Sequence, residues 1–240
     1  MKNVQCTFSL FASDRSKLAS NPPVFIDNIE IKRVKEVKFL GIIIDEELKW
    51  NKHIEFITLK VIKFCGIFYK LKCLMPPPVL KSVYFSLVYP HFIYGIEIYA
   101  NTYSKYVDPL IKINNKILRI LQHKDLKTPI NQLYINYHTL PIPKLHDLHI
   151  LLFFMHKYNY NKNTRPILFH NYFKLNSNVH DHNTRQKEML HSIKFDNSYG
   201  KRVIKYKGCM LWNKLPSVLR LYSSKNYFKK KVKIFLTYNL

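Results

Sequence analysis

Six cationic side chains in this chain are spaced as a phosphate-binding surface needs them: Lys52, Lys63 and Lys70 in one segment, Lys112, Lys116 and Arg119 in another. A helical residue advances about 100°, so the first three share one line, roughly 150° from the apolar stripe of Ile54, Ile57, Val61, Phe64, Phe68 and Leu71. The second trio lies opposite Leu110, Ile113, Ile117 and Ile120 in the same way. Such lines can follow a phosphate backbone without reading bases. Any surface helix of a lysine-rich chain has a basic outer face, so the pattern alone does not separate phosphate contact from solvation.

Other chemistries find less support. The five glycines are scattered, with no phosphate-cradling loop or dinucleotide fingerprint among them. His149 and His156 share a helix face and His180 and His182 sit close together, yet without cysteine pairs or a HExxH spacing no metal site and no cofactor are expected. No Ser/His/Asp or Cys/His nucleophile set can be nominated, because spacing alone specifies none. The paired acids Glu46 and Glu47 read as the solvated start of a helix. Trp212 and Tyr199 have faces on which bases could stack, although an aromatic in an apolar unit is more often core.

The charge balance points the same way as the lysine lines. Against 39 Lys and Arg stand 15 Asp and Glu, a formal net charge of +24 that repels itself unless a polyanion neutralises it. A codon bias toward A and T explains Lys over Arg but not the scarcity of acids, whose codons tolerate the same bias. Nucleic acid is the expected partner. Cys6, Cys65, Cys73 and Cys209 form no CxxC pair and lie in apolar runs, which reads as buried free thiols in a reducing compartment. No cleavable signal opens the chain, and the longest apolar stretch, residues 83–100, is interrupted by Pro90, His91 and Glu97. An intracellular protein, nuclear or cytoplasmic, with no membrane span is expected.

The elements that must position these residues follow from periodicity. Residues 6–11, 24–26 and 29–44 read as strands of a small antiparallel sheet with a turn at Asp27 and Asn28. Beginning at Met1, that sheet lacks a cover for its apolar face, and the chain looks truncated at its front. Residues 50–74 form a long amphipathic helix ended by Pro76, Pro77 and Pro78, and a second helix, bent near Pro90, runs through Tyr99. Asp108 and Pro109 signal the start of a third helix that ends near Gln122, and a fourth covers 143–158. After an Asn-rich stretch, residues 203–207 suggest a strand and Gly208 a turn. Ser224 then caps a last helix with Phe228, Val232 and Phe235 inside and Lys229, Lys230, Lys231 and Lys233 outside.

Five segments carry a resemblance. VKFLGIIIDEELKWNKHI at 37–54 resembles a signature of reverse transcriptases of Jockey-type non-LTR retrotransposons. SLVYPHFIYGIEIYANTY from Ser86, LIKINNKILRILQ from Leu110, HNTRQ from His182 and YGKRVIKYKGCMLWNKLP from Tyr199 resemble later landmarks of that family's C-terminal region, in the same order. The resemblance implies that residues up to about Asp45 are the last strands of a polymerase palm, with Phe39, Leu40 and Gly41 at the primer-grip turn. It implies that the helices from Trp50 form a thumb packing against a template–primer duplex. The family's catalytic aspartates, in an earlier palm motif and a Phe/Tyr-Ala-Asp-Asp turn, have no counterpart here, nor has its endonuclease. Two-metal nucleotidyl transfer needs clustered carboxylates.

The resulting expectation is an α+β, mostly α chain: a palm remnant (1–49) with a small antiparallel sheet, a helical thumb-like bundle (50–158), an Asn-rich linker (159–185) and a basic, mixed C-terminal unit (186–240). It would bind RNA, DNA or hybrid without catalysis, with the missing palm as a further partner. The alternatives are a domesticated binding or interaction module and the inert product of a decayed element.

Overall fold

The computed structural model describes residues 6–11, 23–152, 172–179 and 185–238. Most of the expected linker, the end of the fourth helix, the side chain of Tyr199, and His156, His180 and His182 lie outside the described residues.

Among the described residues the expected single sheet is instead three separate two-stranded ribbons of strands two to four residues long. β1 (Thr7–Phe8) pairs in parallel with β4 (Lys32–Arg33), against the all-antiparallel expectation. β2 (Phe25–Ile26) and β3 (Ile29–Glu30) form a hairpin whose turn residues Asp27 and Asn28 are left-handed, with φ of 49° and 61°. β5 (Glu36–Phe39) and β6 (Ile42–Asp45) form another, turning at Leu40 and Gly41 with φ of 46° and 83°. Both match the two-residue turn whose twist suits a hairpin.

α1 (Asn51–Leu71) follows directly, burying Ile54, Ile57, Val61, Cys65 and Phe68 at helical spacing. Its start is organised by Asp45, whose carboxylate accepts from the backbone N–H of Lys49 at 3.0 Å and of Trp50 at 2.7 Å. Glu46 and Glu47 therefore do not lead into solvent: Glu46 pairs with Arg33 at 3.2 Å, half-buried, and Glu47 pairs with Lys49. That corrects the solvated reading of the two acids.

α2 (Pro77–Val83) begins on a proline, which suits a first turn. It continues through a π-helical turn, Tyr84–Val88, into α3 (Tyr89–Ile93). Pro90 has no N–H to give the carbonyl four residues back, and the helix widens just before it, with Tyr89 N–H bonded to Tyr84 O. The chain breaks at Tyr94 and at Gly95, whose φ of 68° is left-handed and whose absent Cβ would stand 2.6 Å from Ile42 Cδ1. α4 (Ile96–Tyr99) and α5 (Ser104–Leu121) follow. α5 starts a turn before Asp108, so Pro109 lies inside the helix rather than at its start.

α6 (Ile130–Tyr137), which sequence reading passed over, and α7 (Ile142–Ile150) complete the bundle. Towards the C-terminus stand α8 (Ser198–Arg202), α9 (Ile204–Lys214), α10 (Ser217–Arg220) and α11 (Lys225–Tyr238). The expected strand over 203–207 is overturned, because α9 occupies that segment with Gly208, Cys209 and Trp212 buried on one helical face. Gly208 is a packing contact there, not a turn. α11 forms where expected, with Phe228 N–H bonded to Ser224 O at 2.9 Å, but its buried face is Phe228, Val232 and Leu236. Phe235, expected inside, and Lys231 and Lys233, expected outside, are half-buried at its margins.

One contiguous apolar core runs from Ile54 on α1 to Leu236 on α11. α1 and α5 make the largest helix pairing within it. A buried polar network crosses the same core: Tyr84 donates to Asn114 Oδ1 at 3.0 Å, Asn114 Nδ2 donates to the Tyr134 oxygen at 3.2 Å, and Tyr134 donates to Asn115 Oδ1 at 2.6 Å. Burial pushes both tyrosine hydroxyls well above their usual range, so they remain neutral donors. Of the four free thiols Cys65 and Cys209 are buried, whereas Cys6 and Cys73 are exposed, contrary to the expectation that all four would be hidden.

Candidate nucleic-acid interface

The lysines of α1 sit where helical spacing puts them. Lys52, Lys63 and Lys70 are all exposed, on the side of the helix away from Val61 and Phe68. The outer surface they share is not purely ionic. Leu59, Ile62, Ile67 and Tyr69 are 45–59% exposed on it, and a Cβ added at Gly66 would meet nothing within 4 Å. Charged and apolar groups thus alternate along the helix.

On α5, Lys112 and Lys116 are exposed, and Lys116 stands near enough to α1 for its charge to act on the Cys65 thiol. Burial, the larger influence, raises that thiol's pKa while Lys116 opposes the rise. Cys65 lies roughly 150° around α1 from the lysine line, so the two basic lines are separated by a strip that holds Ile62 and Tyr69. Arg119 behaves differently from the two lysines. It is half-buried, its Nε is enclosed, and its charge reaches the Tyr134 hydroxyl. The earlier start of α5 adds a cation that sequence reading missed: Lys105 is exposed on the same side, 5.0 Å from the centre of the Tyr106 ring.

Phe39, Leu40 and Gly41 form the tip of the β5–β6 hairpin, with Phe39 62% and Leu40 73% exposed. Two contacts hold the tip against the helices. Tyr94 donates its hydroxyl to Leu40 O, and Ile43 N–H donates to His53 Nδ1 at 3.3 Å. His53 must stay neutral to accept that bond. Burial, then the nearby Lys60 charge, lowers its pKa to about 4. The joint is completed by Thr102, which donates to Lys49 O at 2.6 Å.

His149 and His146 are engaged by partners of their own. His149 Nδ1 meets Glu97 Oε1 at 2.8 Å; burial alone would raise that carboxyl's pKa, but the histidine contact outweighs it and the net shift is downward. Lys207 Nζ reaches both His146 Nδ1 at 2.9 Å and Asp147 Oδ1 at 2.8 Å. His146 is buried, and burial followed by the Lys207 charge lowers its pKa to about 3. Among the described residues no group of three or more His, Cys, Asp or Glu side chains is placed to hold a metal ion. Trp212 is buried with its ring centre 6.0 Å from that of Phe228, as a core side chain. No helix of the described residues is long and apolar enough to cross a membrane.

No protein-family model matches this chain, and no solved structure matches it. Among curated proteins it is similar to a probable RNA-directed DNA polymerase from transposon X-element of Drosophila melanogaster, 23% identical over 125 residues. That similarity covers 46% of this chain and 14% of the polymerase, and it supports an origin related to transposon-encoded polymerases.

Proposed function

We propose that this chain corresponds to the end of the palm, the thumb and the following region of a retrotransposon RNA-directed DNA polymerase, and that it holds template–primer nucleic acid without extending it. The observation that carries the binding reading is the exposure of Lys52, Lys63 and Lys70 in one line on α1, with Lys112 and Lys116 exposed on the helix packed beside it. The similarity to a transposon polymerase and the ordered sequence landmarks supply the lineage. Phe39, Leu40 and Gly41, projecting on a braced hairpin, suit a contact to the primer strand.

The test is a salt titration of binding to a hybrid duplex. With the five exposed lysines on phosphates, affinity should fall about five-hundredfold between about 50 and 200 mM salt. Reversing Lys63, Lys70 and Lys116 to Glu should weaken binding to all sequences alike and flatten the slope by about one unit per lost contact. An unchanged affinity and slope in that variant would refute the helix-face reading. Nucleotide addition to a primer that survives inactive-enzyme controls would refute the non-catalytic part.

A further inference from the structure

α11 looks in sequence like a free basic tail, but Phe228, Val232 and Leu236 bury it in the common core against α7. That seating brings Lys230 and Lys233 to a groove of about 430 Å³ whose facing wall is the end of α6, with Ile135 and His138. Across the same end of α6 lies a second groove of about 500 Å³, lined by Lys81, His123 and Lys124 among others. Lys81 links the two: its Nζ donates to Asn136 O at 3.2 Å, and its charge is felt by Lys233. Burial lowers the pKa of Lys233 first, and the neighbouring charges of Lys229 and Lys81 lower it further.

Among the described residues no carboxylate lines either groove. Like charges held together without a counter-ion repel, and an anion seated between them removes the penalty. A bare inorganic anion would leave the rest of the surface unused. Ile135, Ile234 and Tyr238 on the first groove are 49%, 43% and 86% exposed, an apolar and aromatic floor beside the cations. A chain of phosphates carrying flat bases matches both parts, and a flexible single strand can turn around the end of α6 where a stiff duplex cannot.

We infer that the two grooves flanking the end of α6 hold a single-stranded nucleic-acid segment, with phosphates on Lys81, Lys230 and Lys233 and a base stacked on Tyr238. The inference rests on the reading of the chain as a nucleic-acid binder, but on residues separate from the α1 and α5 lines.

The experiment compares a labelled twelve-nucleotide oligo-dT, an abasic strand of equal length and a sixteen-base-pair hybrid duplex, by fluorescence anisotropy on the full chain. Replacing Lys81, Lys230 and Lys233 together by Gln should weaken oligo-dT binding at least about tenfold and change duplex binding by less than about twofold. The abasic strand should bind the wild-type protein about tenfold or more weakly than oligo-dT, since a stacked base contributes a factor of that order. Should the triple variant lose its far-UV circular dichroism, Tyr238→Ala, at an exposed position, carries the test through the same loss for oligo-dT. Oligo-dT affinity unchanged in a folded variant overturns the proposal, as does equal binding of the abasic strand, which marks a plain polyanion site. Parallel loss of duplex and single strand overturns it too, by merging the two surfaces. If Lys63→Glu, Lys70→Glu and Lys116→Glu leave duplex binding intact while the Gln variant loses oligo-dT, the helix-face reading fails and the groove stands.

Discussion

Asn114 shows how much a single side chain carries in this core. It is fully buried and bonded to the hydroxyls of Tyr84 and Tyr134, so it ties the π-helical turn, α5 and α6 together. Asn114→Ala should leave the buried Tyr84 hydroxyl without its acceptor, at about 1–3 kcal/mol, while Tyr134 keeps Asn115 as its acceptor, lowering the urea midpoint without changing the slope of the transition. A loss under about 0.5 kcal/mol would mean that water or a rotated hydroxyl replaces the amide. His53 and His146 make a second residue-scale prediction. Their folded pKa values, about 4 and about 3, lie below the ordinary 6.5 of the unfolded chain. The unfolded chain therefore binds more protons in that window, and stability is full above pH 6.5 and lost as pH falls through the folded values. For His53 the loss amounts to about 3 kcal/mol. His53→Asn, which keeps an acceptor for Ile43 N–H and removes the titration, should flatten the dependence between about pH 4 and 6.5 by one proton's worth. An identical pH profile in wild type and variant would show that His53 titrates normally.

Among the elements, protection should be uneven. Phe25, Ile26 and Ile29 are 53–71% exposed, so the β2–β3 hairpin has little to close it and its amides should exchange within seconds to minutes, while α1 and α5 exchange only on larger openings. The β5–β6 hairpin, braced by Tyr94 and His53, should fall between the two, and equal protection of both hairpins in a mass-spectrometric time course would contradict this. The same contrast explains what could be read in the chain beforehand. α1 was legible because a twenty-one-residue helix repeats its apolar stripe many times. The start of α5 was not, since Asp108 and Pro109 imitate a helix start although Val107, one residue earlier, is already buried in the helix. Val203, Ile204 and Tyr206 imitate a strand, and only the burial of Gly208, Cys209 and Trp212 shows the helical period. Within the candidate site, Lys52, Lys63 and Lys70 needed only helical spacing to be placed. Arg119 needed knowledge of its neighbour Tyr134, and the Lys81 charge reaches Lys233 only through a tertiary arrangement that no local pattern encodes.

For the molecule as a whole, a net charge of +24 is the dominant electrostatic fact, and the few ion pairs among the described residues do little to offset it. Adding salt to the ligand-free protein should therefore raise Tm, with each 1 kcal/mol of relieved repulsion worth about 2–4 °C in a chain of this size. A Tm that falls with salt would show that attractive pairs outweigh the self-repulsion. The four thiols add a gauge of global opening that needs no engineering. Burial raises the pKa of Cys65 and pushes that of Cys209 up to about 11, whereas Cys6 and Cys73 are exposed. An alkylating reagent should thus consume two equivalents promptly and two more only when the core opens, and the slow phase, followed by mass, clocks how often this protein comes apart.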